Sequence, residues 1–178
     1  MKKNRLLKMK NIFFVLLVII LTITLLLIYS PIEIVAIRGN SMNPTLSCGD
    51  RVIVITTEKA IENIEYKNIV IFTPPKDPTR KFVKRVIAME KEEYVLKEGG
   101  LIIDGIDYCE GYIACSDYPV GNSALSSGVV PENKVYLLGD NRISSNDSRW
   151  FGYVCSTCVQ GKVLAKVWPL SEIEWFNN

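Results

Sequence analysis

Hydrophobic positions follow two regimes along this chain. From Asn11 to Pro31 there is no charged residue, and apolar positions succeed one another without alternation. As a helix rising about 1.5 Å per residue, segment 12–29 reaches roughly 27 Å, close to the hydrocarbon thickness of a bilayer. Beyond Pro31 the runs shorten. Segments 32–38, 51–55, 69–73, 82–89, 94–97, 101–103, 135–138 and 162–168 are rich in Val, Ile and aromatic residues and are bounded by Gly, Pro, Asn or Asp, which predicts strands. One weak helical turn is expected at 58–63. Loops are expected at 73–78 and over much of 108–131, the latter an insertion with some extended structure of its own. The pattern predicts a mostly β protein: an N-terminal transmembrane helix, then a coiled antiparallel sheet or partly open barrel without repeats or a second domain.

Charge orients this plan. Lys2, Lys3, Arg5, Lys8 and Lys10 precede the apolar run and few cations follow it closely, which places the N-terminus in the cytoplasm. The competing reading is a cleaved secretory signal, whose apolar core spans only about 7–15 residues and ends in a small-residue cleavage site. Here the run is longer and ends in Tyr29-Ser30-Pro31. The expected organisation is a basic cytoplasmic segment 1–11, a membrane anchor 12–30 and an extracytoplasmic domain 31–178, the last being exported on either reading. A chain of 178 residues, 48% hydrophobic and 22% charged, suits one compact domain with an appendage. The net charge of +2 gives no ground for a nucleic-acid partner. The sequence contains no histidine, which removes every Ser-His-Asp or Cys-His mechanism and most zinc sites.

Three stretches carry candidate chemistry. The first, Gly39-Asn40-Ser41-Met42-Asn43-Pro44-Thr45-Leu46-Ser47-Cys48-Gly49-Asp50, has loop composition, and Pro44 restricts the backbone that carries Ser41. Taken alone it is a turn in which Ser41 and Thr45 bond locally. In the second, Phe82-Val83-Lys84-Arg85-Val86-Ile87, alternation sets Lys84 and Arg85 on opposite faces, each among apolar residues, so that one of the two cations is a candidate for burial. Burial lowers a lysine pKa and makes it a general base, whereas an edge lysine merely snorkels. The third, Leu138 to Gly152, follows an apolar strand with a polar turn in which Asp140 can pair with Arg142 and Asp147 with Arg149. Alone it is a salt-bridged surface loop.

Together these stretches resemble the type I signal peptidases, membrane-anchored Ser-Lys endopeptidases that remove signal peptides from exported proteins. The likeness rests on Ser41-Met42, Pro44-Thr45-Leu46 and Gly49-Asp50, on Lys84-Arg85-Val86-Ile87, and on Gly139-Asp140-Asn141-Arg142 with Ser145, Asp147-Ser148-Arg149 and Phe151-Gly152. It implies that Ser41 is the nucleophile, Lys84 the general base, Ser145 the hydroxyl that hydrogen-bonds the lysine, and Asp147 with Arg149 a supporting ion pair. It implies no cofactor and no metal. The implied partners are the signal peptides of preproteins and membrane lipid. Small side chains before the cut would enter shallow apolar pockets, for which Ile34, Ala36, Ile69 and Val83 are candidates. Gly39 stands where some members place a serine that helps hold the oxyanion, leaving backbone N–H groups, that of Ser41 foremost. Lys67-Asn68 and the segment 88–92 also depart from the family pattern, at scaffold positions.

Two alternatives stay open at this level: a dedicated processing peptidase for a narrow set of exported substrates, and a non-catalytic tethered β-domain that binds exported chains. The apolar residues Met42, Leu46, Leu170, Trp175 and Phe176 are candidates to rest on the membrane surface, while Trp168 is expected in the core. Cys109 with Cys115, and Cys155 with Cys158, are expected to pair locally, with a metal site or redox pair as the other readings of Cys-x-x-Cys.

Overall fold

The computed structural model describes residues 2–75, 77–97, 100–113 and 125–176, except for the side chains of 2–9 and 26–28. The chain divides into two compact units, Met1–Pro31 and Ile32–Asn178. The first is built on helix α1, Lys2–Ile28. All its described side chains, 10–25, are exposed, and they form no polar stripe. The hydroxyls of Thr22 and Thr24 donate to the carbonyls of Val18 and Ile20 at 2.8 Å, so both are satisfied within the helix. Among the described residues no helix is long and apolar enough to cross a membrane.

The second unit is antiparallel β structure. Its elements are β1 (Ile32–Ala36), β2 (Arg51–Ile55), α2 (Glu58–Glu62), β3 (Ile69–Phe72), β4 (Phe82–Ala88), β5 (Glu93–Lys97), β6 (Gly100–Ile103), β7 (Ile106–Tyr108), β8 (Ser127–Val129), β9 (Lys134–Leu138), α3 (Ser148–Phe151), β10 (Val154–Cys155), β11 (Val159–Trp168) and β12 (Glu174–Trp175). Eight strands form one sheet in the order β1-β2-β11-β3-β4-β9-β10, with β12 added to β11; β7-β6-β5-β8 form a second, four-stranded sheet. Register shifts in β11 and β4 add twist, as bulges do, and the large sheet curls into an open half-barrel.

Three apolar clusters hold the unit together. Met42 and Leu46 join Val52, Val54, Ile69 and Ile71 in one, and Phe72, Val86 and Leu137 anchor another. In the third, Tyr94 and Leu101 from the small sheet pack with Ile87 and Tyr136 from the large one, and the Tyr94 and Tyr136 rings stack at 4.1 Å. Several expectations change here. There are two sheets rather than one, and β7, β10, β12 and α3 go beyond the predicted elements, while β8 is extended structure within 108–131 as expected. Met42 and Leu46 are buried, because the loop needs apolar anchors, whereas Trp168 is 48% exposed beside Arg51. Leu170 and Trp175 are exposed as expected, but Phe176 packs partly on the first cluster. Cys155 and Cys158 are free thiols, with Cys155 Sγ 3.1 Å from Thr157 Oγ1. Cys109 is free as well, and Cys115 lies outside the described residues.

Strand β11 crosses close to β2 at Gly161, where an added Cβ would lie 2.5 Å from Val54 Cγ1 and 3.0 Å from the Ile55 carbonyl. Gly161→Ala is therefore expected to lower stability by about 1–3 kcal/mol. Urea unfolding checks this, and an unchanged midpoint would contradict the observed packing of β11 on β2.

Candidate active site

Ser41 sits in a loop pinned at its base and packed underneath. The Ile37 N–H donates to Asp50 O at 2.8 Å and the Gly49 N–H to Ile37 O at 3.0 Å, which closes the loop between β1 and β2. Met42 and Leu46 turn into the core, and Asp50 Oδ2 accepts the Ser47 N–H at 2.8 Å. Gly39 has φ +88°, a conformation that side chains with a Cβ adopt only under strain, although the space around it is open. Strain of that kind disfavours a serine at this position, in keeping with the departure noted there.

Lys84 rises from the middle of β4, opposite Val70 of β3. It is only 3% exposed, and its Nζ donates to Ser41 Oγ at 2.6 Å and to the Val83 carbonyl at 3.0 Å. The Phe82 ring lies 5.5 Å from the same atom. Burial pushes the Lys84 pKa down to about 8, against the opposing pull of the Asp147 and Asp140 carboxylates. Arg85, on the other face of the strand, is buried too, so both cations are sequestered rather than one.

The neighbouring carboxylates are already committed. Asp140 accepts from Arg85 Nε at 2.8 Å and Nη2 at 2.6 Å, and from Thr45 Oγ1 at 2.6 Å; it does not take Arg142 as its partner, because Arg142 pairs with Glu110. Asp147 takes Arg149 through two 2.8 Å bonds, as expected, and also accepts the Gly139 N–H at 3.1 Å. Ser148 Oγ accepts the Leu137 N–H at 3.0 Å. These side chains thus satisfy backbone donors of β9 and Gly139 that lie beyond the last residues paired with β10. Further contacts tie the 139–142 turn to the loop: the Asn141 N–H donates to Ser41 O and Asn141 Nδ2 to Asn40 O, each at 3.1 Å. Ser145 is buried beside Gly139, and its Oγ has no hydrogen-bond partner among the described residues. The expected bond from Ser145 to Lys84 is not made.

A cleft of about 680 Å³ opens over Ser41 and Lys84, walled by Val35, Ala36, Ile71, Phe82 and Val83. Two of the four expected pocket residues, Ala36 and Val83, therefore line it. Ile34 is exposed to solvent instead and Ile69 is buried in the core, so neither lines the cleft. Sequence reasoning missed Thr45, Asn141 and Glu110. The first two lie within the quoted boxes, but no spacing rule assigns them a partner; Glu110 lies in the 108–131 insertion, which has no pattern to read.

A buried amine in contact with a serine hydroxyl, lining an open cleft, is equipped for nucleophilic acyl transfer without histidine. The signal peptidase family, peptidase S26, matches residues 9–168. Signal peptidase IB of Staphylococcus aureus is 34% identical over 158 residues, covering 80% of this chain and 81% of that protein. A probable signal peptidase I-2 of Synechocystis is 30% identical, covering 77% of this chain and 63% of that one. A crystal structure of a signal peptidase I from Enterococcus faecalis aligns with a TM-score of 0.49 at 29% identity, over 56% of this chain and 96% of that chain. The chain belongs to the S26 signal peptidase family.

The close approach at Gly139 offers a direct check. A Cβ there would lie 2.3 Å from both Ser145 Oγ and the Ser41 carbonyl oxygen. Gly139→Ala should push Ser41 away from Lys84 and reduce peptidase kcat/KM by about 100-fold while the β circular-dichroism spectrum persists. Parent-like activity would show that this contact does not set the position of Ser41.

Proposed function

We propose that this signal peptidase cleaves preproteins with Ser41 as nucleophile and neutral Lys84 as general base. The observation that carries the reading is the 2.6 Å contact between Ser41 Oγ and a lysine amine buried enough to be held near pKa 8. The enzyme is a serine endopeptidase that removes signal peptides from exported preproteins. Neutral Nζ takes the Ser41 proton as Oγ attacks the scissile carbonyl; the resulting ammonium then protonates the leaving amine. Water deacylates the ester by the same route. The Ser41 N–H is the foremost donor to the oxyanion, a role worth about 3–4 kcal/mol in the transition state. Ser145 Oγ, without a partner among the described residues, accepts a hydrogen bond from Lys84 once the amine is charged. Asp147 and Arg149 hold Gly139 and the turn behind Ser41.

Topology completes the proposal. On this proposal the uncharged run 11–31 of the sequence anchors the chain in the membrane, with the basic segment before it in the cytoplasm and residues 32–178 working on the extracytoplasmic side. Exposed Trp168, Leu170, Ile173 and Trp175 give that unit an apolar face for the bilayer surface, near which the cut must be made. Ala36 and Val83 receive the small side chains before the cut.

The test is to incubate the detergent-solubilised protein with a preprotein and sequence any new N-terminus. The parent is expected to cut once, after a small residue, while Ser41→Ala and Lys84→Arg leave the precursor intact, because arginine does not give up its proton. Between pH 6 and 9 the parent kcat/KM should climb through a midpoint near 8, falling about tenfold per unit below it as Lys84 becomes protonated. A folded Lys84→Arg protein that still cleaves would defeat the assignment of the base.

A further inference from the structure

The strongest polar cluster that this mechanism leaves unused lies just after the small sheet. Glu110, 3% exposed, receives Arg142 Nη2 on both carboxylate oxygens, at 2.8 and 2.9 Å, and the Tyr112 hydroxyl donates to the same group. The turn that carries them is closed by an Ile113 N–H to Glu110 O bond of 3.1 Å. Each residue also leads toward Ser41. Arg142 donates from Nε to the Gly139 carbonyl at 3.0 Å, and Gly139 packs directly against the Ser41 carbonyl. Arg85 sits over the Tyr112 ring, its guanidinium carbon 3.9 Å from the ring centroid, and Arg85 holds Asp140 and through it Thr45 of the Ser41 loop. Burial and the Glu110 charge push the Tyr112 pKa upward, so its hydroxyl remains a donor.

We propose that Glu110 and Tyr112 are positioning residues for signal-peptide cleavage, one turn gripping both arginines that fix the 139–142 turn and the Ser41 loop against Lys84. The small sheet thereby becomes part of the catalytic scaffold, since β7 leads straight into this turn. Removing the Glu110 carboxylate releases Arg142 Nη2 from the two bonds it makes there, which moves Gly139 and loosens the dry setting of Lys84. This inference rests on the Ser41–Lys84 reading. The two fail separately: loss of that reading appears in the parent enzyme, as a missing pH limb or activity surviving Ser41→Ala, whereas loss of this one appears only in the variants below.

The experiment measures kcat, KM and the pH midpoint of kcat/KM for full-length Glu110→Gln, Tyr112→Leu and the neutral pair Glu110→Gln/Arg142→Gln. Asp107→Asn, which removes the exposed carboxylate paired with Lys97 on β7, serves as the control. Activities are expressed per folded molecule from unfolding curves. The expected result is a fall in kcat of about tenfold or more with KM within about threefold, together with a pH midpoint displaced from about 8 toward the ordinary lysine value, as water reaches Nζ. Asp107→Asn should match the parent in all three. Should Glu110→Gln fail to fold, Tyr112→Leu and the neutral pair decide, since neither combines an intact Arg142 with a missing carboxylate. Parent-like kcat and midpoint in the folded variants would overturn the proposal and leave the cluster a support of the fold alone.

Discussion

Keeping one lysine dry beside one serine is the constraint around which this domain is built. An ammonium buried in apolar surroundings is unfavourable, and the fold lowers that cost by favouring the neutral amine rather than by supplying a counter-ion. The carboxylates near Lys84 could have paired with it, but Asp140 is clamped by Arg85 and Asp147 by Arg149. Their charges still oppose the shift, and the Arg149 cation reinforces it. The outcome is an amine near pKa 8, within reach of physiological pH. The same shift has a thermodynamic consequence: between about 8 and 10.5 the unfolded chain keeps a proton at Lys84 that the folded chain has shed, so stability rises with pH across that window.

The arginine–carboxylate pairs contribute geometry more than net stability. Each is bidentate and buried, and such pairs are strongly directional although desolvation consumes much of their Coulombic gain. Arg85–Asp140 joins β4 to the Ser41 loop through Thr45, and Arg149–Asp147 joins α3 to Gly139. Glycine then allows backbones to meet where a side chain would intrude, with Gly139 against the Ser41 carbonyl. The cleft inherits its depth from this arrangement, since the loop is drawn down onto the sheet rather than standing off it.

Much of this was legible in the sequence where a pattern extends over several residues. The alternating segments became β2, β3, β4 and β9 nearly to the residue, and the weak turn at 58–63 became α2, capped by Thr57. Strands of two or three residues, β7, β8, β10 and β12, are too short for periodicity to register. Ser41 and Lys84 were named by motif, and the fold sets them in contact. Partner choice was harder to read: Asp140 and Arg142 are close in sequence, yet each is held by a residue from a distant strand or turn, which no local pattern encodes. Exposure of Trp168 and burial of Met42 likewise follow from how β11 and the Ser41 loop lie in three dimensions, not from hydrophobicity alone.

The most direct test of the account is the titration of Lys84 itself. NMR of protein labelled at the lysine ε-carbon, with the Lys84 signal assigned by its absence from Lys84→Arg, follows the amine through its protonation. The expected midpoint is near 8, well separated from the other lysine signals. A midpoint at the ordinary value of about 10.4 would contradict the central claim, because the amine would then be a hydrated surface cation and not the base beside Ser41.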